Sequence, residues 1–526
     1  MTARQRVVVI TGGGGGIGAA IAESVGSTGA FVVTLDPLVS VDGSQRLPPS
    51  EQTTAGRIVA AGGAARASEV SVTDAVAVSR LFAELADEFG GLDAVVNVAG
   101  ISRPTGFATG SVDDWRSVLE VHLDGYRNVL AAALPLMAAA GRGHILGVTS
   151  GSGWRAADAG AYGCAKRAVA SLTWQLGRNA PPGVIVNAIS PIAATRMVAA
   201  AQGRTQPTRP SATGGLSLGS MPEPQHLGPL GAHLVGDTFE ACHGRVLFAG
   251  GSEVAVIDEP RLVEVIRSSD VPALAHLLQA ATVAALAPAE ARQISGGGSN
   301  ARLGSIFDQS SADGLPPTAA RSCAVVADLP EVAKAVSAAL EARGVLCQSV
   351  AVPAALNDVD ALDAVVVAIS GPDASRAAPG WQRIVDEHQR LVELIDADAQ
   401  WTRAVAEVAA TTGRPVRLVT LIDGTNSGGR SRAQASAQLS RAGNKATDGR
   451  VLPFAISAES TDCPAELVAH LVCSPDAAEL AGAELVASEG WFGLRVHPRP
   501  IGSISFGGPM VPPWFDEAIR EIVRPG

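Results

Sequence analysis

Along the first 250 residues, short runs of β-branched apolar residues alternate with stretches whose apolar positions recur every three or four residues. RVVVI (Arg6–Ile10), FVVTLD ending at Asp36, LDAVVNVAG (Leu92–Gly100), GHILGVTSG and GVIVNAISP read as strands buried on both faces. Between them, AAIAESVGSTGA, VAVSRLFAELADEFG, DDWRSVLEVHLDGYRNVLAAALPLMAAA and the stretch around AYGCAKRA carry helical spacing. Strict alternation of the two predicts an α/β fold with a doubly wound parallel sheet, whose ligands bind beyond the carboxyl ends of the strands. Asn97, Ala99, Gly100, Thr149, Ser150, Ser190 and Pro191 fall at such ends, and the glycine turn TGGGGGIG (Thr11–Gly18) lies at the same edge.

The pattern returns further along the chain. LDAVVNVAG at Leu92 recurs as LDAVVVAISG at Leu362, Trp115 as Trp381, AIS at Ala188 as AIS at Ala455, and HLV at His233 as HLV at His470. Shared order over so long a stretch predicts a second, tandem copy of the fold. A shift of 272 places Tyr162 and Lys166 on Gln434 and Gln438. The copy reads as degenerate: SCAVVAD runs into LPEVAKAV with no glycine turn, and glutamine offers neither a titratable phenol nor a charge. The expected organisation is a catalytic domain over 1–258, a segment over 259–317 and the degenerate domain over 318–526. Within the first, 197–224 is rich in Pro, Gly, Ser and Thr and reads as a long loop. Within the second, 259–286 reads as helices and 295–317 as a linker.

Composition narrows the partners. At 526 residues the chain exceeds one hydrophobic core, and 47% hydrophobic residues with 58 glycines fit a globular protein with many tight turns. A net charge of −11 and the absence of a Lys/Arg stripe argue against nucleic acid and anionic membrane. The six cysteines form no C-x-x-C pair, and no histidine stands at metal-ligand spacing, so free thiols and no metal are expected. A strand begins within a few residues of Met1, and no apolar run reaches bilayer length, so a cytoplasmic protein is expected.

Two features carry chemistry. Glycines let a backbone approach a pyrophosphate, and a helix N-terminus offers unpaired N–H groups to it. Asp36, ending the second strand, can accept from both ribose hydroxyls of a dinucleotide and repels a 2′-phosphate, which favours NAD over NADP. In AYGCAKRA, one of only two tyrosines and one of only three lysines stand at i and i+4, on one helix face. An ammonium beside a phenol is expected to lower its pKa, so that Tyr162 can exchange a proton with an alcohol or carbonyl. Ser150, at the end of the preceding strand, can hold the substrate oxygen. Without the glycine turn, the pair would read as an amphipathic helix with a snorkelling lysine.

Together TGGGGGIG, Asp36, NVAG, Ser150, YGCAK and SPIAATRM, in this order, resemble the short-chain dehydrogenase/reductase family, non-extended type, over residues 1 to about 258. The resemblance implies that Gly12, Gly16, Ile17 and Gly18 lie under the pyrophosphate and that Asp36 holds the adenosine ribose. Asn97, Ala99 and Gly100 would line the cofactor cleft, with Ser71 and Val72 also in the cofactor-binding set. Tyr162 would be the acid/base, Lys166 would tune it and hold the nicotinamide ribose, and Ser150 would steady the reacting oxygen. Pro191, Ile192 and Thr195 would cover the nicotinamide amide, and 197–224 would be the mobile substrate lid. Four positions depart from the family. Ser71 stands where Asp usually accepts from the adenine, and His122 stands where the catalytic Asn usually does. Ser150 precedes Tyr162 by 12 residues where 13 is commoner, and Pro191-Ile192 replaces Pro-Gly.

The leading expectation is an NAD-dependent oxidoreductase interconverting a secondary alcohol and a ketone, with a hydroxyacyl thioester or steroid-like alcohol suggested by His122 and the lid. A non-catalytic dinucleotide sensor or scaffold is the rival, and a family member doing dehydration or epimerisation is third. The degenerate copy is expected to occupy a partner subunit's place as an intramolecular pseudo-dimer. Regulator binding or closure of the substrate site is its other reading, and a homodimer of the whole chain stays open.

Overall fold

The computed structural model describes residues 4–524 apart from 49–51, 108, 156–157, 205–220, 268–269, 272, 279–280, 283–317, 360 and 372–376. The expected linker and the middle of the expected lid therefore lie outside the described residues. The strands of the first half are β1 (Val7–Thr11), β2 (Phe31–Leu35), β3 (Ala64–Ser68), β4 (Ala94–Asn97), β5 (Gly143–Val148), β6 (Val184–Pro191), β7 (Val246–Gly250) and β8 (Glu253–Asp258), of which β1, β2, β4, β5 and β6 are the β-branched runs read from sequence. They pair in the order β3-β2-β1-β4-β5-β6-β7 with every neighbour parallel, and β8 closes on β7 as an antiparallel hairpin. Helices cover both faces, as a sheet of buried Val and Ile requires. The long helical stretch after β4 is two helices, Val112–Leu119 and Gly125–Ala140, joined through a π-helical turn at Glu120–Asp124.

The second half repeats the plan. After β9 (Leu262–Ile266) come β10 (Ser322–Ala327), β11 (Leu346–Ser349), β12 (Ala364–Ala368), β13 (Val416–Asp423), β14 (Val451–Ala458), β15 (Glu484–Ser488), β16 (Trp491–Arg495) and β17 (Arg499–Ser505). The order β11-β10-β12-β13-β14-β15 is parallel, followed by the antiparallel hairpin strand β16. The chain is therefore two tandem doubly wound sheets.

The halves exchange their outermost strands. β9, three residues after β8, pairs antiparallel with β16 of the second sheet, whereas β17, three residues after β16, returns to pair antiparallel with β8. The following helix, Phe515–Val523, packs on the first sheet through Phe515 and Ile519, both fully buried. This corrects two boundaries read from sequence. Residues 262–266, expected helical, are a strand, because LVEVI meets the open edge of a hairpin whose partner lies more than 200 residues away. The second domain does not run to 526, since 499–523 belong to the first sheet and its apolar cover.

The halves meet through the helices Gly160–Asn179 and Ser427–Ala446, and one apolar cluster contains Trp115, Tyr126 and Leu172 together with Ile384, Ile395 and Leu439. Both β14 and the second of these helices start 267 positions after their counterparts (Val184 to Val451, Gly160 to Ser427). This replaces the 272-residue shift expected from sequence: Tyr162 corresponds to Gly429 and Lys166 to Ala433. By the same register Arg167 corresponds to Gln434, and Arg167 Nε donates to Gln434 Oε1 at 3.0 Å. A residue meeting its own counterpart is the signature of a two-fold relation.

Candidate active site

The glycine turn links β1 to the helix Gly16–Gly26. A Cβ at Gly18 would lie 2.2 Å from the Gly12 carbonyl oxygen, so only glycine permits this approach of helix to strand. The helix has no capping side chain and no acid in its first turn, which leaves its first N–H groups for an anion. These features fit a pyrophosphate. Asp36, just past β2, accepts from Gly14 N at 3.0 Å and Leu38 N at 2.9 Å, which aims its carboxylate over the turn. Ser71 follows β3 and bonds Thr73 Oγ1 at 2.8 Å, while Val72 is buried against the helix Gly125–Ala140 with its carbonyl accepting from Asn128.

Asn97 ends β4. Its Oδ1 accepts from Thr11 Oγ1 at 2.9 Å and the side chain is buried, so it ties the ends of β1 and β4 together. The same threonine oxygen accepts from Ala99 N at 3.1 Å, fixing the turn that leads to Gly100. Gly100 touches His122: a Cβ there would lie 2.3 Å from the imidazole Cε1. The π-helical turn carries His122 inward, in keeping with the frequent placement of π-bulges at functional sites. Its Nε2 lies 2.9 Å from the Ile101 carbonyl, which can only accept, so Nε2 carries the proton. Nδ1 is then a buried acceptor without a partner. Burial, followed by the charge of Lys166, pushes the imidazole pKa down to about 3. It stays neutral at physiological pH.

Ser150 opens a 3-10 turn after β5, near enough to Tyr162 for its side chain to draw the phenol pKa down. Tyr162 and Lys166 share one face of the helix Gly160–Asn179: the lysine Nζ stands 5.6 Å from the phenol ring centroid, and the His122 ring meets the phenol edge-on at 5.2 Å. Lys166 is buried and donates to the Val148 carbonyl at 2.6 Å. The expected acidification of the phenol does not occur. Burial raises the Tyr162 pKa, the Ser150 side chain opposes it, and burial lowers Lys166 to about 7. Desolvation penalises both charged forms, so the pair rests closer to neutral phenol and neutral amine.

Pro191 ends β6, and Ile192 N is fixed on the Ala249 carbonyl at 2.8 Å. Thr195 caps the next helix by accepting from Val198 N at 3.2 Å, and its methyl stands 3.7 Å from where a Cβ would sit on Gly16. Sequence reasoning passed over the next residue. Arg196 is exposed, and its Nη2 lies 3.1 Å from the position of a Cβ at Gly15, so a guanidinium overhangs the glycine turn. A cavity of about 240 Å³ opens between Gly15, Gly16, Thr195, Arg196 and Pro224. The signal available in sequence was an arginine directly after the threonine of SPIAATRM.

The second half closes both places. β10 reaches its helix through Asp328 and Leu329 alone, with Pro330 opening the helix and Glu331 in its first turn. A Cβ at Gly429, the counterpart of Tyr162, would lie 1.7 Å from the Asp423 carbonyl oxygen. No side chain can occupy the tyrosine's position.

The short chain dehydrogenase family model matches residues 6–205. The chain is 36% identical over 197 residues to the short-chain reductase protein NovJ of Streptomyces niveus, covering 37% of this chain and 72% of that one. It is 35% identical to a putative short-chain type dehydrogenase/reductase of Mycobacterium tuberculosis, over 37% of this chain and 68% of that one. The chain belongs to the short-chain dehydrogenase/reductase family. It is also 30% identical to the meso-2,3-butanediol dehydrogenase of Serratia marcescens over 263 residues, 49% of this chain and 98% of that one. It is an oxidoreductase, and members of its family use a nicotinamide dinucleotide. Among the described residues no helix is long and apolar enough to cross a membrane.

Proposed function

We propose that the chain is an NAD-dependent oxidoreductase interconverting a secondary alcohol and a ketone, with all the chemistry in the first half. The observation that carries this reading is the meeting of Ser150, Tyr162 and Lys166 at the carboxyl edge of the sheet that holds the glycine turn. Gly12, Gly16, Ile17, Gly18, Arg196 and the helix N-terminus would hold the pyrophosphate, Asp36 the adenosine ribose, and Pro191, Ile192 and Thr195 the nicotinamide side. NAD is favoured because the Asp36 carboxylate over Gly14 repels a 2′-phosphate.

Bound there, the nicotinamide supplies or accepts the hydride. Ser150 Oγ holds the substrate oxygen, and Tyr162 takes the hydroxyl proton during oxidation or returns it during reduction. Lys166, with a pKa near 7, can pass a proton on without leaving the Val148 carbonyl. His122, neutral and with Nδ1 buried and without a partner among the described residues, stands edge-on to the Tyr162 ring at 5.2 Å. The second half takes the place of a second subunit, as its two-fold helix pairing and shared apolar cluster suggest. Six free thiols are in keeping with a reducing cytoplasm.

The test is a panel of vicinal diols, hydroxyacyl thioesters and hydroxysteroids with NAD, followed by absorbance of NADH. Tyr162→Phe is expected to lower turnover by about 10²–10⁴-fold while NADH binding stays within a few-fold. Wild type that binds NADH and turns over nothing on the panel would favour the sensor or scaffold reading instead.

A further inference from the structure

Gln438 lies on the second half's helix Ser427–Ala446 and is 1% exposed. Its Nε2 reaches across to the first half and donates to two backbone carbonyls, Ser152 O and Arg155 O, each at 3.1 Å. These carbonyls belong to the turn that directly follows Ser150. Within that turn Ser150 Oγ accepts from Ser152 N at 3.3 Å, Gly153 N donates to Ser150 O at 2.9 Å and Arg155 N to Gly151 O at 3.0 Å. The amides of Ser152, Gly153 and Arg155 thus bond within the turn, while the carbonyls of Ser152 and Arg155 accept from the other half. The two carbonyls are part-buried and the Gln438 side chain is buried, so an amide left without these acceptors is costly and the pair of bonds fixes the turn where it stands.

The approach is shaped on the first half's side as well. Gly163, next to Tyr162, has no side chain; a Cβ there would stand 2.9 Å from Ser152 O and 3.5 Å from Gln438 Cγ. The bare glycine lets the glutamine pass between the tyrosine's helix and the serine's turn. Arg155 Nε, at the far end of the turn, lies 3.2 Å from the position of a Cβ on Gly151. One amide from the second half therefore controls the backbone on which Ser150 and the Arg155 guanidinium are mounted.

We infer that Gln438 is a positioning residue of the active site: a hydrogen-bond donor, supplied by the half without chemistry, that holds the serine turn against Tyr162. The inference rests on the catalytic reading of Ser150 and Tyr162. It gives the second half a role in catalysis as well as in packing, because small misplacement of a reacting group costs about 10²-fold in rate.

Two variants of the full chain test it. Gln438→Met keeps the volume and removes the donor; Gln438→Glu keeps the shape and replaces donor by acceptor. Backbone hydrogen exchange of Gly151–Arg155, NADH affinity by fluorescence and kcat and KM for the best substrate are measured together. In both variants the turn is expected to exchange at least about tenfold faster, with the helix Gly160–Asn179 protected as in wild type. NADH affinity should stay within about twofold and kcat fall at least about tenfold, with KM changing less. Unchanged exchange in the turn overturns the inference, and so does unchanged kcat with a loosened turn. Faster exchange spread equally over the tyrosine's helix also overturns it, since it marks a purely structural residue. The exchange result does not depend on turnover, so an inactive wild type removes the catalytic reading separately.

Discussion

The two strand-to-helix connections at the heart of each half are built on the same frame and differ in length. In the first half eleven residues, Thr149–Ala159, separate β5 from the helix of Tyr162; in the second, three residues, Gly424–Asn426, separate β13 from its counterpart. The longer connection leaves room for Ser150, the phenol and a substrate. The shorter one presses Gly429 against the Asp423 carbonyl. The turns after β1 and β10 differ likewise, four residues against two, and the shorter one replaces glycine with Asp328 and Leu329. The sheets are alike because buried Val and Ile runs dictate them. The chemistry differs because it resides in the connections.

The comparison can be broken most severely at the exchanged strands. A chain ending at Pro498 loses β17 and the helix carrying Phe515 and Ile519, each of those side chains worth about 1.5–3 kcal/mol in burial alone. The first half should unfold at markedly lower temperature, read by thermal denaturation, although everything removed is distant in sequence from the fold it supports. Gly18→Val comes next. Its side chain would collide with the Gly12 carbonyl, and NADH affinity, read by fluorescence titration, should fall by at least about 100-fold. Leu329→Gly, at the matching turn, should leave NADH binding unchanged.

The interface ion pair is the third place. Arg167 is fully buried and pairs with Glu484, which also accepts from Gln434 and has its pKa lowered mainly through the Arg167 charge working against burial. Glu484→Leu should cost about 3–5 kcal/mol in chemical denaturation, and adding Arg167→Met should restore most of it, because the penalty lies in stranding one charge.

A smaller effect concerns Lys166. Burial lowers its folded pKa to about 7 from the ordinary 10.5, so between these values the unfolded chain holds a proton that the folded chain does not. Stability should therefore rise with pH across that window, and Lys166→Met should flatten the rise. Smallest is Arg196→Ala, expected to weaken NADH binding several-fold and to reduce its dependence on salt, as loss of one exposed cation near a phosphate does.

What could be read in the sequence was local. β1, β2, β4, β5 and β6 announce themselves by β-branched runs, the glycine turn by its position after one of them, and Tyr162 and Lys166 by helical spacing, whereas β3, Ala64–Ser68, has no β-branched residue to mark it. What could not be read depended on partners remote along the chain. LVEVI looks helical until β16 offers its edge, and the return of 499–523 has no mark in the residues themselves. The shift of 272 rests on resemblance in Ala-rich helices, whereas the helix Ser427–Ala446 and the strand after it, β14, start 267 positions after their counterparts. The direction of the Tyr162 pKa shift is opposite to the one its spacing to Lys166 suggests, because burial dominates. Gln438 was noticed only as a lost lysine, yet its neighbours make it a contact to the serine turn.

One titration bears on the division of labour most directly. Calorimetric measurement of NADH binding to the intact chain should give one site per chain, abolished by Gly18→Val. Two sites per chain, or one that survives that substitution, would contradict the assignment of the whole cofactor apparatus to the first half.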